Sequence, residues 1–226
     1  RRSFLGKMGW ATLGLLSCSS VPVQSQQGED GALKIIKPKA LQKGDTVAFI
    51  CPAGMNYSQT AIEEVEEGIA KLGLKPHFGK SVYSQYGYFS GEDKFRAAEV
   101  NAMFADPKID GIIAMRGGWG CARLFPHLDY KLIGQNPKVL SGFSDITALM
   151  FALYKKTGLI TFHGLMGYSS WDEFSLHYFR QIAMEGKTPM LMNPADDTDH
   201  YVINSGRATG RVVGGNLTVL CSIIGS

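Results

Sequence analysis

Three short runs, Thr46–Cys51 (TVAFIC), Gly111–Met115 (GIIAM) and Val139–Phe143 (VLSGF), are apolar at nearly every position. A strand with one face in water alternates polar and apolar residues. A run that is apolar throughout is buried on both faces. Segments of helical period separate these runs. In Thr60–Leu72, the side chains of Ile62, Val65, Ile69 and Leu72 share one face, Thr60 and Glu63 stand in capping-box spacing, and Gly73 is placed to stop the helix. Glu92–Ala105 reads as a second amphipathic helix, with Phe95, Ala98 and Ala102 expected inward and Asp106-Pro107 ending it. Asp145–Lys156 puts Ile146, Leu149, Met150 and Leu153 on one face, with Lys155-Lys156 in its last turn and Gly158 after it. Leu159–Phe162 reads as a further strand. Buried strands alternating with helices define an α/β fold: βαβ units building a parallel sheet covered on both faces.

Charge narrows the function. Of 23 basic residues, Arg1, Arg2 and Lys7 lie in the N-terminal segment, and without them the chain is balanced at 20 basic and 20 acidic residues. No Lys/Arg run marks a nucleic-acid footprint. Residues 1–18, RRSFLGKMGWATLGLLSC, have a basic start, an apolar run from Met8 to Leu16 and small residues before Cys18. That run is too short to span a bilayer and fits a signal peptide. Arg1-Arg2-Ser3-Phe4-Leu5 resembles a twin-arginine export signal, and Leu15-Leu16-Ser17-Cys18 resembles a lipobox, in which Cys18 becomes the lipidated first residue. The expectation is an exported, membrane-anchored lipoprotein on the periplasmic side, touching the membrane through its lipid alone; a plain cleaved signal is the alternative. Residues 19–33 are polar and aperiodic, as a tether would be. Residues 34–165 carry the α/β rhythm and residues 166–206 lose it, reading as an interdomain bridge. Residues 207–226 (RATGRVVGGNLTVLCSIIGS) read as a strand–glycine–helix unit beginning a C-terminal domain that is incomplete here.

Beside Cys18, the cysteines Cys51, Cys121 and Cys221 are odd in number and widely spaced, which argues against a disulfide framework. No carboxylate cluster, His pair or Cys–His spacing points to a metal. Gly117-Gly118-Trp119-Gly120 matches no dinucleotide fingerprint and no Walker lysine follows, so no cofactor is expected.

Chemistry concentrates in Arg116–Tyr130 (RGGWGCARLFPHLDY). Glycines after a strand permit a tight turn with open amides. A cysteine opening the next helix would sit at the positive end of its dipole, with a lowered pKa suited to a nucleophile. Amides near Gly118, Trp119 and Gly120 could hold an oxyanion. The other reading is a packing turn with Cys121 buried and inert. Arg116 and Arg123 flank the turn and suit a terminal carboxylate; alternatively they pair with Asp129 or Asp145.

These residues are similar to a known family. Leu41–Ala53, Phe89-Ser90-Gly91 with Asp93, Arg96 and Ala97, Phe104–Pro107, Arg116–Tyr130, Ser141–Leu149 (SGFSDITAL), Thr161–Gly164 (TFHG) and Gly214–Leu217 (GGNL) together resemble the LD-carboxypeptidases, which include muramoyltetrapeptide carboxypeptidases and microcin self-immunity peptidases. The resemblance implies an N-terminal domain similar to class I glutamine amidotransferases, a smaller C-terminal β/α domain and a Ser–His–Glu triad. It implies release of terminal D-Ala from peptidoglycan tetrapeptides by nucleophilic acyl transfer, with a muropeptide or small peptide as partner. A homodimer, and the cytoplasmic location of other members, stay open. The alternatives are a peptidase acting on a peptidyl-nucleotide antibiotic and a non-catalytic muropeptide-binding lipoprotein. Aligned on the turn, the family's serine falls on Cys121, with Trp119 lining the pocket. Ser144 is the other candidate nucleophile, although Ser144 and Asp145 are expected to cap the following helix. The family's Glu and His lie downstream of GGNL and have no counterpart here. His163 belongs to the TFHG strand end, and His127, His177 and His200 have no motif.

Overall fold

The computed structural model describes residues 33–194 and 201–226. The export signal, Cys18, most of the tether and His200 lie outside them. Five parallel strands form one sheet in the order β2-β1-β3-β4-β5: β1 Thr46–Ile50, β2 Lys75–Phe78, β3 Gly111–Ala114, β4 Val139–Gly142 and β5 Phe162–His163. β3 and β4 are buried along their whole length and β1 at four of its five residues, as their composition requires. β2 (KPHF) is an edge strand that alternates exposed with half-buried residues, and it has no apolar run to announce it. β5 is shorter than the run that predicts it. Leu159 leaves the strand and makes an isolated bridge to Ile36.

Alternate side chains of each strand feed opposite faces. Val47 and Phe49 of β1, with Ile113, Met115 and Val139, enter one core; Ala48 and Ile50, with Ile112, Ala114 and Leu140, enter the other. The first core is closed by α1 (Gln59–Lys71), the second by α2 (Asp93–Ala105), α3 (Tyr130–Gln135) and α4 (Ile146–Thr157). α5 (Glu173–Phe179) continues as a π turn, Arg180–Met184. Trp171, Leu176, Phe179 and Ala183 are buried against the α1 side. Residues 207–215 form no strand; the unit holds α6 (Leu217–Ser222), whose Val219 packs on the α4 side.

Two local expectations are corrected. α1 is capped two residues earlier than Thr60–Glu63 implies: the Ser58 side chain accepts from the Ala61 N–H at 3.1 Å. α2 turns a different face inward. Phe95, Ala98 and Ala102 are exposed, and Arg96, Ala97, Val100 and Phe104 are buried. Arg96 is the largest side chain sealed in the core. A buried cation breaks the hydropathy pattern on which the face was assigned. α4 is as expected, with Ile146, Leu149, Met150 and Leu153 buried and the Gly158 N–H returning to Tyr154 O at 2.8 Å.

Candidate active site

The loops leaving β1, β3 and β4 meet at the carboxyl edge of the sheet, where ligands of open α/β sheets bind. From β1 come Pro52–Tyr57, from β3 the turn Arg116–Gly120, and from β4 the turn Phe143–Asp145. The Gly54 N–H donates to Gly117 O at 3.2 Å, joining the first two loops.

Arg96 sets this arrangement from beneath. Its guanidinium donates to Pro52 O at 2.5 Å, to Gly120 O at 3.3 Å and to Gly91 O at 3.0 Å, and it pairs with Asp93. The Phe89 ring lies 4.6 Å from the same guanidinium. One buried cation therefore ties three loops together and finds four acceptors, which is what makes its burial tolerable. Asp93 also accepts from Arg123 at 2.9 Å, so Arg123 pairs with Asp93 and not with Asp129 or Asp145. Asp129 caps α3 through Leu132 N, and Asp110 accepts from Thr46 N.

Cys121 is not presented to solvent. Gly120, left-handed at φ 114°, turns the chain downward, and Cys121 is fully buried in the α2/α4 core. The helix it opens is a 3₁₀ segment, Cys121–His127, interrupted by Pro126. Burial pushes the thiol pKa well above its ordinary value, and the neighbouring Asp145 carboxylate pushes it the same way. An activated thiol needs a lowered pKa and an open approach. Cys121 shows neither here, and its burial favours the packing reading over the nucleophile.

Ser144 is placed differently. It is half-buried on the sharp turn between β4 and α4, and its φ of 60° is the only positive value at a non-glycine among the described residues. A left-handed serine costs about 1–2 kcal/mol, and such strain gathers where a side chain must be aimed. A strained strand-to-helix turn that projects a serine is the geometry of a nucleophile elbow. Gly117 makes room for it: a Cβ there would fall 2.8 Å from Ser144 Cβ and 3.1 Å from Ser144 Oγ. The capping role expected of Ser144 and Asp145 is absent. Asp145 directs its carboxylate away from its own helix and accepts from the Cys121 N–H at 2.8 Å. This bond locks the glycine turn to the serine turn, and burial raises the Asp145 pKa.

Arg116 is half-buried and donates to Met55 O at 3.1 Å. Tyr57 and Tyr168 lie 4.7 and 5.9 Å from its guanidinium, so cation–π contacts hold it. It has no carboxylate partner among the described residues. Gly118 and Trp119 are exposed on the turn. His163 ends β5, exposed, with its ring against Phe143; His127 and His177 lie in helical segments outside the three loops. The GGNL segment joins the site region unannounced by any periodicity: the Asn216 N–H donates to Thr147 Oγ1 at 3.0 Å, three residues beyond Ser144. Arg96, Tyr57 and Tyr168 also escape sequence reasoning as site residues, since they carry no spacing signal.

The three loops thus place a candidate site at the carboxyl edge of a parallel sheet. Residues 47–164 match the LD-carboxypeptidase N-terminal domain, and the chain belongs to that family. It is 36% identical over 198 residues to the "probable murein peptide carboxypeptidase" of Bacillus subtilis, a match covering 84% of this chain and 60% of the relative. It is 30% identical over 190 residues to the murein tetrapeptide carboxypeptidase of Pseudomonas aeruginosa, covering 80% and 60%. The microcin self-immunity protein MccF in complex with adenosine monophosphate superposes with a TM-score of 0.72 at 29% identity, covering 84% of this chain and 66% of that one. Another MccF structure is an active-site mutant in which a serine, an asparagine and a lysine are replaced by alanine. The chain spans about three fifths of the length of the curated relatives it matches.

Proposed function

We propose that this chain carries the nucleophile half of an LD-carboxypeptidase that releases terminal D-Ala from a peptidoglycan tetrapeptide, with Ser144 as the attacking residue. The left-handed backbone of Ser144 carries the reading. Ser144 Oγ adds to the carbonyl carbon of the scissile amide and gives its proton to a general base. The tetrahedral oxyanion is held by backbone amides of Asp145 and of the Gly117-Gly118 turn. The C–N bond breaks, D-Ala leaves with the transferred proton, and water hydrolyses the acyl-serine. Arg116, held by two tyrosines and free of any described carboxylate, suits the substrate's terminal carboxylate. The resemblance puts the base and its orienting glutamate downstream of GGNL, and residues 218–226 contain neither a His nor a Glu. In the same reading, the twin-arginine-like and lipobox motifs put the activity on the outer side of the membrane with Cys18 lipidated, which metabolic labelling with a fatty acid tests.

The likeness to MccF supports a second substrate, a peptidyl nucleotide cut at an amide by the same serine. Incubation of the full-length protein with a disaccharide tetrapeptide and, separately, with an aminoacyl sulfamoyl nucleotide distinguishes them by mass. Loss of one alanine from the first supports the carboxypeptidase, and cleavage of the second alone supports the immunity reading. Binding without any mass change in either overturns both in favour of a non-catalytic binding protein.

A further inference from the structure

We propose that the Asp145 side chain is the positioning group of the oxyanion site: by clamping the Gly120–Cys121 peptide, it sets the glycine turn against the serine turn. This deepens the hydrolase reading and rests on it for the reaction served. Asp145 is 6% exposed, and its carboxylate makes no bond to the start of its own helix, where an aspartate ordinarily caps. It crosses instead to the turn after β3 and accepts from the Cys121 N–H at 2.8 Å, in a buried bond. The other end of the same peptide group is also held, since Gly120 O accepts from the Arg96 guanidinium at 3.3 Å. A peptide group is planar, so a cation at its carbonyl and a carboxylate at its N–H together fix its rotation. Both bonds are charge-assisted, the stronger kind of hydrogen bond.

The clamp leaves neighbouring amides uncommitted. Among the described residues, the Asp145 N–H and the Gly118 N–H donate to no acceptor. A Cβ on Gly117 would fall 2.8 Å from Ser144 Cβ and 3.4 Å from the Asp145 nitrogen, so the two turns touch at the serine. Gly118 and Gly120, with φ of 121° and 114°, give the glycine turn little stiffness of its own. The spacing between its amides and that of Asp145 therefore depends on what pins its far end, and oxyanion donors act only at set distances. Placement is what the carboxylate contributes. Its charge alone would oppose the reaction, because a carboxylate repels a growing oxyanion.

Two variants of the full-length protein separate placement from charge. Asp145→Ala removes the acceptor, whereas Asp145→Asn removes the charge and keeps an acceptor oxygen. D-Ala release from a disaccharide tetrapeptide is followed below each variant's melting point, alongside amide hydrogen exchange over residues 117–121. Asp145→Ala is expected to lose about 10–10²-fold in kcat with KM within about threefold of the parent, and to exchange faster over 117–121. Asp145→Asn is expected to keep kcat within about threefold, with exchange unchanged. If Asp145→Ala does not fold, Asp145→Glu replaces it: it keeps the charge, moves the oxygen by one methylene, and should lose kcat where Asp145→Asn does not. A folded Asp145→Ala protein with parental kcat and a lowered Tm has lost only stability, and overturns the proposal. So does an Asp145→Asn protein that falls as far as Asp145→Ala. Exchange is read without turnover, so unchanged exchange in Asp145→Ala refutes the clamp, whereas parental kcat in Ser144→Ala refutes the nucleophile alone.

Discussion

Separate alanine replacements of Cys121 and Ser144 decide which residue attacks. An ordinary thiol, with a pKa of about 8.5, is only a few per cent thiolate at neutral pH. Burial pushes the Cys121 thiol above that value within the α2/α4 core, which disfavours it as the attacking group. Cys121→Ala removes one sulfur from a close-packed core. Lost burial and the small cavity together cost about 1–2 kcal/mol, which for a chain of this size lowers Tm by roughly 2–8 °C. Its kcat is expected to stay within about threefold of the parent. Ser144→Ala removes the attacking atom, and kcat is expected to fall by about 10⁴–10⁶-fold with little change in Tm. D-Ala released from a disaccharide tetrapeptide by the full-length protein, followed by mass spectrometry alongside thermal melts, measures both. A folded Cys121→Ala protein that has lost more than a hundredfold in kcat, beside an active Ser144→Ala, refutes the reasoning.

Arg96→Ala leaves Pro52 O and Gly120 O without their buried donor and opens a cavity; a loss of about 3 kcal/mol or more is expected in urea titration, and less than about 1 kcal/mol would show that the three loops hold without it. Gly68→Ala drives a methyl to 2.3 Å from the Trp171 ring, so a loss of about 1–3 kcal/mol with a shift in Trp171 emission is expected; an unshifted spectrum at parental stability contradicts the packing of α1 on that ring. The Asp93 carboxyl is held below its ordinary value by the hydrogen bond from Arg123 first, then by the charges of Arg123 and Arg96. The native state therefore binds fewer protons than the unfolded one near the ordinary aspartate pKa of about 3.9. The stability it contributes is present above that value and lost as pH falls through the lower native one. Asp93→Asn should flatten the acid limb of a Tm-against-pH curve, and an unchanged slope there counts against it.

How far the chain could be read depended on what each residue answers to. β1, β3 and β4 were legible because strands buried on both faces must be apolar throughout. β2 was not, since Lys75 and His77 at a sheet edge look like loop. The helical face of α2 misled because a cation, Arg96, occupies the core position that hydropathy reserves for an apolar side chain. At the site, glycine spacing located the turn, and the family resemblance put the nucleophile on Cys121 rather than Ser144. Gly-Gly-Trp-Gly-Cys after β3 and Gly-Phe-Ser-Asp-Ile after β4 are both strand-to-helix turns with a nucleophilic side chain. What separates them is tertiary: the downward turn at Gly120, the burial it causes, and the space that Gly117 leaves over Ser144. None of the three is visible in a one-dimensional pattern.

The left-handed backbone at Ser144 also bears on any attempt to make this protein sturdier. Glycine accepts that conformation without a Cβ clash, so a search for stabilising substitutions guided by backbone geometry alone would choose Ser144→Gly first and would raise the melting point. The same change deletes the hydroxyl. Thermostability screens on this scaffold therefore select against the proposed chemistry at the one position where the two conflict, and a library for hardening it should hold residue 144 constant.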